Sequence, residues 1–314
     1  MISINKNNSL VISNNVFNKN NITDFINYLD VSAQTTRTYI YGLKQFADYM
    51  KSEMISNPDR NTVLNFKRML IEKCLKPSSI ALYLASVRRF FEWTSQAGIY
   101  DNIAAGVKSP KQEKGHKRDF LGAEQIKECL NISRDNTLKG LRDYAVLSLM
   151  AIGGLRTIEI TRANIEDIQT IGGQFVLYIQ GKGRTDKKEF IKLTQPVINA
   201  INAYLNARGN VKTSEPLFVS TANRNKNGRL TTRTISGIAK TAMRKIGLNS
   251  RRLTAHSFRH SAVTLALMSG ATIQDVQAFA RHTSINTTMI YAHNIDRLKS
   301  VCESNITGAV FGLS

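Results

Sequence analysis

Short stretches of this chain combine residue types that do chemistry on phosphate esters. Gly153-Gly154-Leu155-Arg156-Thr157-Ile158-Glu159 sets an arginine directly after a glycine break, at the start of a helix, with Glu159 one turn on along the same face. Such an arginine can reach a phosphate while the carboxylate buttresses it; taken alone, the pattern also describes ordinary surface structure. His256-Ser257-Phe258-Arg259-His260 opens an otherwise apolar helix carrying Ala262, Val263, Leu265 and Leu267. His256 and Arg259 share a face, so an imidazole and a guanidinium can grip one oxyanion. His260, four residues on from His256, is either its neighbour at the site or a packed helix residue, with packing favoured. Arg281-His282 precedes Thr287-Thr288-Met289-Ile290-Tyr291, and the step from His282 to Tyr291 leaves room for a turn and a helix start that returns the phenol toward the imidazole. A tyrosine nucleophile has to be activated, because an unperturbed pKa near ~10 keeps it protonated at neutral pH. Clustered arginine and histidine supply the required field, although Tyr291 by itself is first an aromatic core residue beside Ile290 and Met289.

The elements that must position these residues are mostly helical. Residues 1–21 form an Asn-rich arm. A first helix capped by Thr23 carries Phe25, Ile26 and Leu29, and a second from about Ser32 to Met54 places Tyr39, Leu43, Phe46 and Met50 at helical spacing. Helices over about Asn61–Cys74 and from Pro77 to Gln96 follow, the latter capped by Ser78 or Ser79 and burying Leu82, Leu84, Phe90, Phe91 and Trp93. Residues 22–105 are thus a four-helix domain, and the basic, aperiodic stretch 106–118 is a linker. Residues 119–314 make a second domain, mainly α with a small antiparallel β-sheet. Its helices are expected near Ala123–Leu130, Lys139–Ile152, Ile198–Arg208, Thr232–Ile246, His256–Ser269, Ile273–Ala280 and Asn286–His293. Its strands are Phe175–Ile179 and Glu189–Leu193, joined by a turn at Gly181-Lys182-Gly183-Arg184.

Charge narrows the class of partner. The 314 residues carry 43 Lys plus Arg against 23 Asp plus Glu, a net +20 spread over both domains, and a field of that sign attracts nucleic acid. Cys74, Cys129 and Cys302 are too few and too scattered for a disulfide framework or a zinc site, and a reducing, cytoplasmic, nucleoid-associated location is expected. The N-terminus lacks the apolar run of a signal peptide, and the most apolar stretch, Tyr144–Leu155, is short of the ~20 residues of a membrane span. No acidic cluster of the kind a two-metal nuclease needs is present, so neither metal nor cofactor is expected.

In order and spacing, GGLRTIEI, the GKG turn, HSFRH, RH and TTMIY resemble the tyrosine recombinase (phage integrase) family of DNA breaking-and-rejoining enzymes. The resemblance covers roughly residues 118–295, and the first domain is similar in size and helical pattern to the family's core-binding domain. One departure stands out: Ala280-Arg281-His282 replaces the family's usual Leu-Gly-His, which bears on the local turn and on any contact Arg281 makes.

The resemblance implies a site-specific recombinase in which Tyr291 attacks the scissile phosphate and leaves a 3′-phosphotyrosine. Arg156 and Arg259 would clamp the phosphate oxygens, with His256 and His282 as further donors. It also makes His256 the proton acceptor, Lys182 the general acid for the leaving oxygen, and Glu159 a buttress. DNA contacts are expected from Arg37, Lys44, Arg88 and Arg89 in the first domain. In the second they are expected from Arg184, Arg229, Arg233, Lys240, Arg244, Arg251 and Arg252. The partner would be double-stranded DNA at defined sites, bound by both domains and by a homotetramer. The apolar tail from about residue 295 to 314 would dock on a neighbouring protomer, and accessory DNA-bending or directionality factors could assist. The short N-terminal extension points to a simple-site recombinase. A type IB topoisomerase and a catalytically idle DNA-binding regulator on the same scaffold are the alternatives, and the complete set of basic residues with a tyrosine speaks against the second.

Overall fold

A computed structural model describes residues 16–111, 119–181, 183–184, 186–299 and 301–312. The chain divides near residue 114 into two compact units. In the first, α1 (Lys19–Tyr28), α2 (Ala33–Ser52), α3 (Arg60–Glu72) and α4 (Pro77–Gln96) surround an aromatic core. Phe17, Phe25, Phe46, Phe66, Phe90 and Phe91 are fully buried there, and Phe17 stacks on Phe90 with ring centroids 4.7 Å apart. Helices α2 and α4 approach closely because Gly42 has no side chain: a Cβ there would lie 2.2 Å from Ser86 Oγ.

Three local expectations are corrected. Helix α1 starts before Thr23 and is capped by Asn18, whose side chain accepts from the Asn21 N–H at 2.8 Å, so part of the Asn-rich arm belongs to the helix. Helix α4 begins at Pro77, which needs no N–H in the first turn, and neither Ser78 nor Ser79 caps it. Leu82 lies on the outer face of α4 and is exposed.

The second unit is built on α6 (Leu138–Ala151), buried along most of its length, with α5 (Ala123–Ser133), α8 (Gln195–Arg208), α9 (Thr232–Lys245) and α10 (Ala255–Met268) around it. The short α7 (Thr157–Arg162) leads to the sheet. Strands β1 (Ile168–Ile171), β2 (Gln174–Ile179) and β3 (Glu189–Lys192) pair antiparallel in the order β1-β2-β3, with Leu177 opposite Ile168 and Ile191. β1 was not expected from the sequence. Its tight turn into β2 uses Gly172 and Gly173, both at positive φ, which a two-residue hairpin of this hand requires. Helices α11 (Ile273–Ala280) and α12 (Ile285–Lys299) pack on α10 through Val263, Val276, Ala280 and Tyr291. A last helix, α13 (Cys302–Phe311), leaves Val301, Ile306, Val310 and Phe311 more than 60% exposed. Among the described residues no helix is long and apolar enough to cross a membrane.

Candidate active site

Gly154, at φ +59, turns the chain out of α6, and a Cβ at this position would meet the Phe279 ring at 2.9 Å. The turn delivers Arg156 to the start of α7. There Glu159, at the third helical position, accepts the Arg156 backbone N–H at 2.8 Å on Oε2 and its Nη1 at 2.7 Å on Oε1, so one carboxylate holds both the backbone and the side chain of Arg156. Glu159 is fully buried, and Arg281 Nη2 adds a third donor at 3.0 Å. Burial alone would raise the Glu159 pKa. The charge of Arg281, then the backbone N–H and guanidinium of Arg156, reverse that and hold it below the usual carboxylate range.

Arg281 stands in the left-handed conformation, φ 53 and ψ 48, at the C-cap of α11. A non-glycine residue there is strained, and its side chain carries the compensation: besides Glu159 it donates to Phe279 O at 2.7 Å. The replacement of the usual glycine therefore leaves the turn in place and adds a second guanidinium to Glu159.

Helix α10 brings His256, Arg259 and His260 onto adjoining turns. Arg259 is 2% exposed and donates to Gly154 O at 2.5 Å and to Ala280 O, which fixes α10 to both flanking turns and leaves further N–H groups of its fork for a ligand. Burial, with the neighbouring charges of Arg156 and Arg281, lowers its pKa to about 9, so it stays cationic at neutral pH. His282 follows Arg281. Burial and then the charges of Arg259, Arg156 and Arg281 pull its pKa down to about 4, so its imidazole is neutral at physiological pH. Its Nδ1 lies 3.0 Å from Thr288 Oγ1, and its ring stacks on Tyr291 with centroids 6.1 Å apart.

The Tyr291 phenol is 6% exposed, and its oxygen lies 2.6 Å from His260 Nδ1. His260 in turn meets the His256 ring edge-on at 4.8 Å. The phenol oxygen thus meets His260, which the sequence reading took as packing while the resemblance made His256 the proton acceptor. The i, i+4 spacing of the two histidines on one helix was the available signal. Thr288, fully buried one turn before Tyr291, was missed for the same reason.

Three guanidiniums thus face one carboxylate, a local excess of positive charge in a largely buried setting that an anion would complement. A cleft of about 860 Å³ opens beside it, lined by Arg156, Lys240, Arg244, Arg251 and His256 among others. Lys182 lies outside the described residues. Gly181, the residue before it, accepts from Arg162 Nη1 at 2.9 Å.

The expected DNA-contact residues divide. Arg37, Arg233 and Arg251 are exposed. Arg229, half-buried, donates to Thr161 O, Ala163 O and Asn164 Oδ1 and so braces the turn after α7. Arg88 donates to Val107 O at 2.6 Å, and Arg89 pairs with Glu92 and lies over the Tyr28 ring. Arg184 pairs with Glu189, and Arg252 with Asp119. Lys240 donates to Ser250 O and Leu253 O, and Arg244 to Asn249, so both brace the loop that leads into α10 at the rim of the cleft. Lys44 is half-buried on α2.

The sequence profile of the phage integrase family matches residues 119–297, and that of the family's N-terminal SAM-like domain matches residues 22–98. The chain belongs to the phage integrase family, the tyrosine recombinases, which break and rejoin DNA. It is 30% identical over 304 residues to tyrosine recombinase XerC of Syntrophus aciditrophicus, across 89% of this chain and 95% of the relative. It is 30% identical over 296 residues to tyrosine recombinase XerD of Listeria innocua, across 89% and 96%. The fold is shared with XerH site-specific recombinase bound to palindromic difH substrate, at TM-score 0.69, 19% identity, and 92% and 90% coverage of the two chains. It is shared as well with a lambda integrase dimer bound to a COC′ core site, at TM-score 0.67, 16% identity, and 85% and 96% coverage.

Proposed function

We propose that this protein recombines double-stranded DNA at defined sites through a covalent Tyr291 intermediate. The observation that supports this reading is the Tyr291 phenol set against a cluster of Arg156, Arg259 and Arg281 that holds more positive charge than Glu159 balances. Tyr291 Oη attacks the phosphorus, the bond to the 5′-oxygen breaks, and the DNA is left as a 3′-phosphotyrosine beside a free 5′-hydroxyl. The phosphodiester energy is retained in the new ester, so resealing by a 5′-hydroxyl needs no nucleotide cofactor. Arg156 and Arg259 balance the charge of the pentacoordinate transition state, and neutral His282 with His256 donates to its oxygens. Lys182 protonates the departing 5′-oxygen. Arg281 and Glu159 act on Arg156 and touch no DNA.

The division of labour follows the sequence: residues 22–105 and 119–314 both bind the duplex, joined by the basic 106–118 linker, and the exposed side chains of Arg37, Arg233 and Arg251 meet phosphates. The apolar face of α13 docks on a neighbouring protomer of a DNA-bound homotetramer, and the enzyme works at the nucleoid in the cytoplasm. Deleting residues 303–314 is expected to abolish tetramer assembly on DNA; unchanged assembly and recombination would remove that part of the reading. The function itself is tested by incubating wild type and Y291F with genomic DNA of the source organism, denaturing, capturing protein-linked fragments and sequencing their ends. Adducts at a few defined sites with wild type alone are expected. Adducts without sequence preference would indicate a topoisomerase instead.

A further inference from the structure

Resting on the assignment of Tyr291 as nucleophile, we propose that His260 is the base that takes the phenol proton during cleavage and returns it during resealing. The geometry is that of an activated nucleophile: the Tyr291 oxygen sits 2.6 Å from His260 Nδ1, and both side chains are more than nine-tenths buried. His260 is held in turn by its place on α10 and by a T-shaped contact with the His256 ring, centroids 4.8 Å apart. For this transfer Nδ1 is the acceptor, which requires the tautomer that carries its proton on Nε2.

The proton balance closes in both directions. As Tyr291 Oη bonds to phosphorus, its O–H bond breaks and the proton passes to His260 Nδ1, while the leaving 5′-oxygen is protonated by a separate acid. When a 5′-hydroxyl later attacks the phosphotyrosine, it gives its proton to the conjugate base of that same acid as its oxygen bonds to phosphorus, the phosphorus–Oη bond breaks, and the phenolate recovers its proton from His260 Nδ1–H. His256, exposed and lining the cleft, is thereby left to donate to the phosphate. One imidazole faces the nucleophile and the other faces the substrate, so the two histidines of HSFRH divide two tasks that a single residue would have to alternate.

The test uses the full chain, sheared genomic DNA of the source organism as the probe, and the single-turnover rate of Tyr291–DNA adduct formation. H260N keeps a polar group against the phenol that cannot accept a proton, and H260F removes the acceptor. Both are expected to slow adduct formation by ~10²–10⁴-fold with DNA binding retained. Installing 3,5-difluorotyrosine at position 291, a more acidic phenol, is expected to restore much of the lost rate in H260N and to change the wild-type rate little. Should H260F fold poorly, H260N carries the comparison. A folded, DNA-binding H260N that forms adduct at the wild-type rate overturns the proposal, and so does a slow H260N that fluorination does not rescue, since a packing role is indifferent to phenol acidity. A wild type that forms no Tyr291 adduct while binding DNA overturns the nucleophile assignment first, and this proposal with it.

Discussion

Replacing Glu159 by Gln probes the element on which the site's geometry depends. The carboxylate is fully buried and receives three donors, the Arg156 N–H at 2.8 Å, Arg156 Nη1 at 2.7 Å and Arg281 Nη2 at 3.0 Å. Glutamine keeps the shape but turns an N–H₂ toward one of the guanidiniums and removes the charge that both need. Removing one partner of a buried ion pair destabilises by about 3–5 kcal/mol, because the remaining charge is left uncompensated. In a unit of this size each kcal/mol lowers the midpoint by ~2–4 °C, so calorimetry should show the transition of the unit carrying the site falling by roughly 6–20 °C. The pH dependence adds a signature. A carboxylate whose folded pKa is depressed contributes stability that is present above its unfolded value, about 4.5, and is lost as pH falls through the folded value. Acidification below about 4.5 should therefore destabilise wild type through this group, and E159Q should lack that component. A midpoint within about 2 °C of wild type at pH 7, or an unchanged acid slope, would show that the Arg156–Glu159–Arg281 arrangement contributes nothing and refute the reasoning.

Other expectations follow from single contacts. R281G should be more stable than R281A by ~1 kcal/mol in urea unfolding, since both lose the ion pair but only glycine adopts φ 53 without strain. G42A should destabilise the first unit by ~1–3 kcal/mol, and pairing it with S86G should recover most of that, because the clash is with the Ser86 side chain. The His282 ring should titrate near pH 4 by NMR and shift upward when phosphate-bearing DNA binds. Because the unfolded chain binds that proton at about 6.5, His282 makes stability decline as pH falls from about 6.5 toward 4, and H282N should flatten the decline.

Much of this arrangement was legible in the sequence, and the reason differs from part to part. Helices α2 and α11 and strand β3 could be placed because apolar periodicity and turn glycines are local signals: α2 starts next to Ser32, and Ala280 ends α11. The set Arg156, Glu159, His256, Arg259, His282 and Tyr291 could be named because the order of its short motifs resembles the phage integrase family, whereas each motif alone also describes ordinary structure. What was not readable depends on partners distant in sequence. The hydrogen bond between Tyr291 and His260 spans 31 positions, and the pairing of Arg281 with Glu159 spans 122. The internal bonds of Arg229 were not readable either, because charge alone does not show that a guanidinium donates to oxygens 65–68 residues away. Strand β1 was missed because only one of its residues is even half-buried, so its alternation is faint.

The most direct measurement is the chemical identity of the protein–DNA bond. Trapped adducts digested with protease and nuclease, then sequenced by mass spectrometry, should yield a single modified peptide in which Tyr291 carries a 3′-linked nucleotide, with the complementary DNA end a free 5′-hydroxyl. A nucleotide on any other residue, or a linkage to the 5′ end of the DNA, would contradict the account.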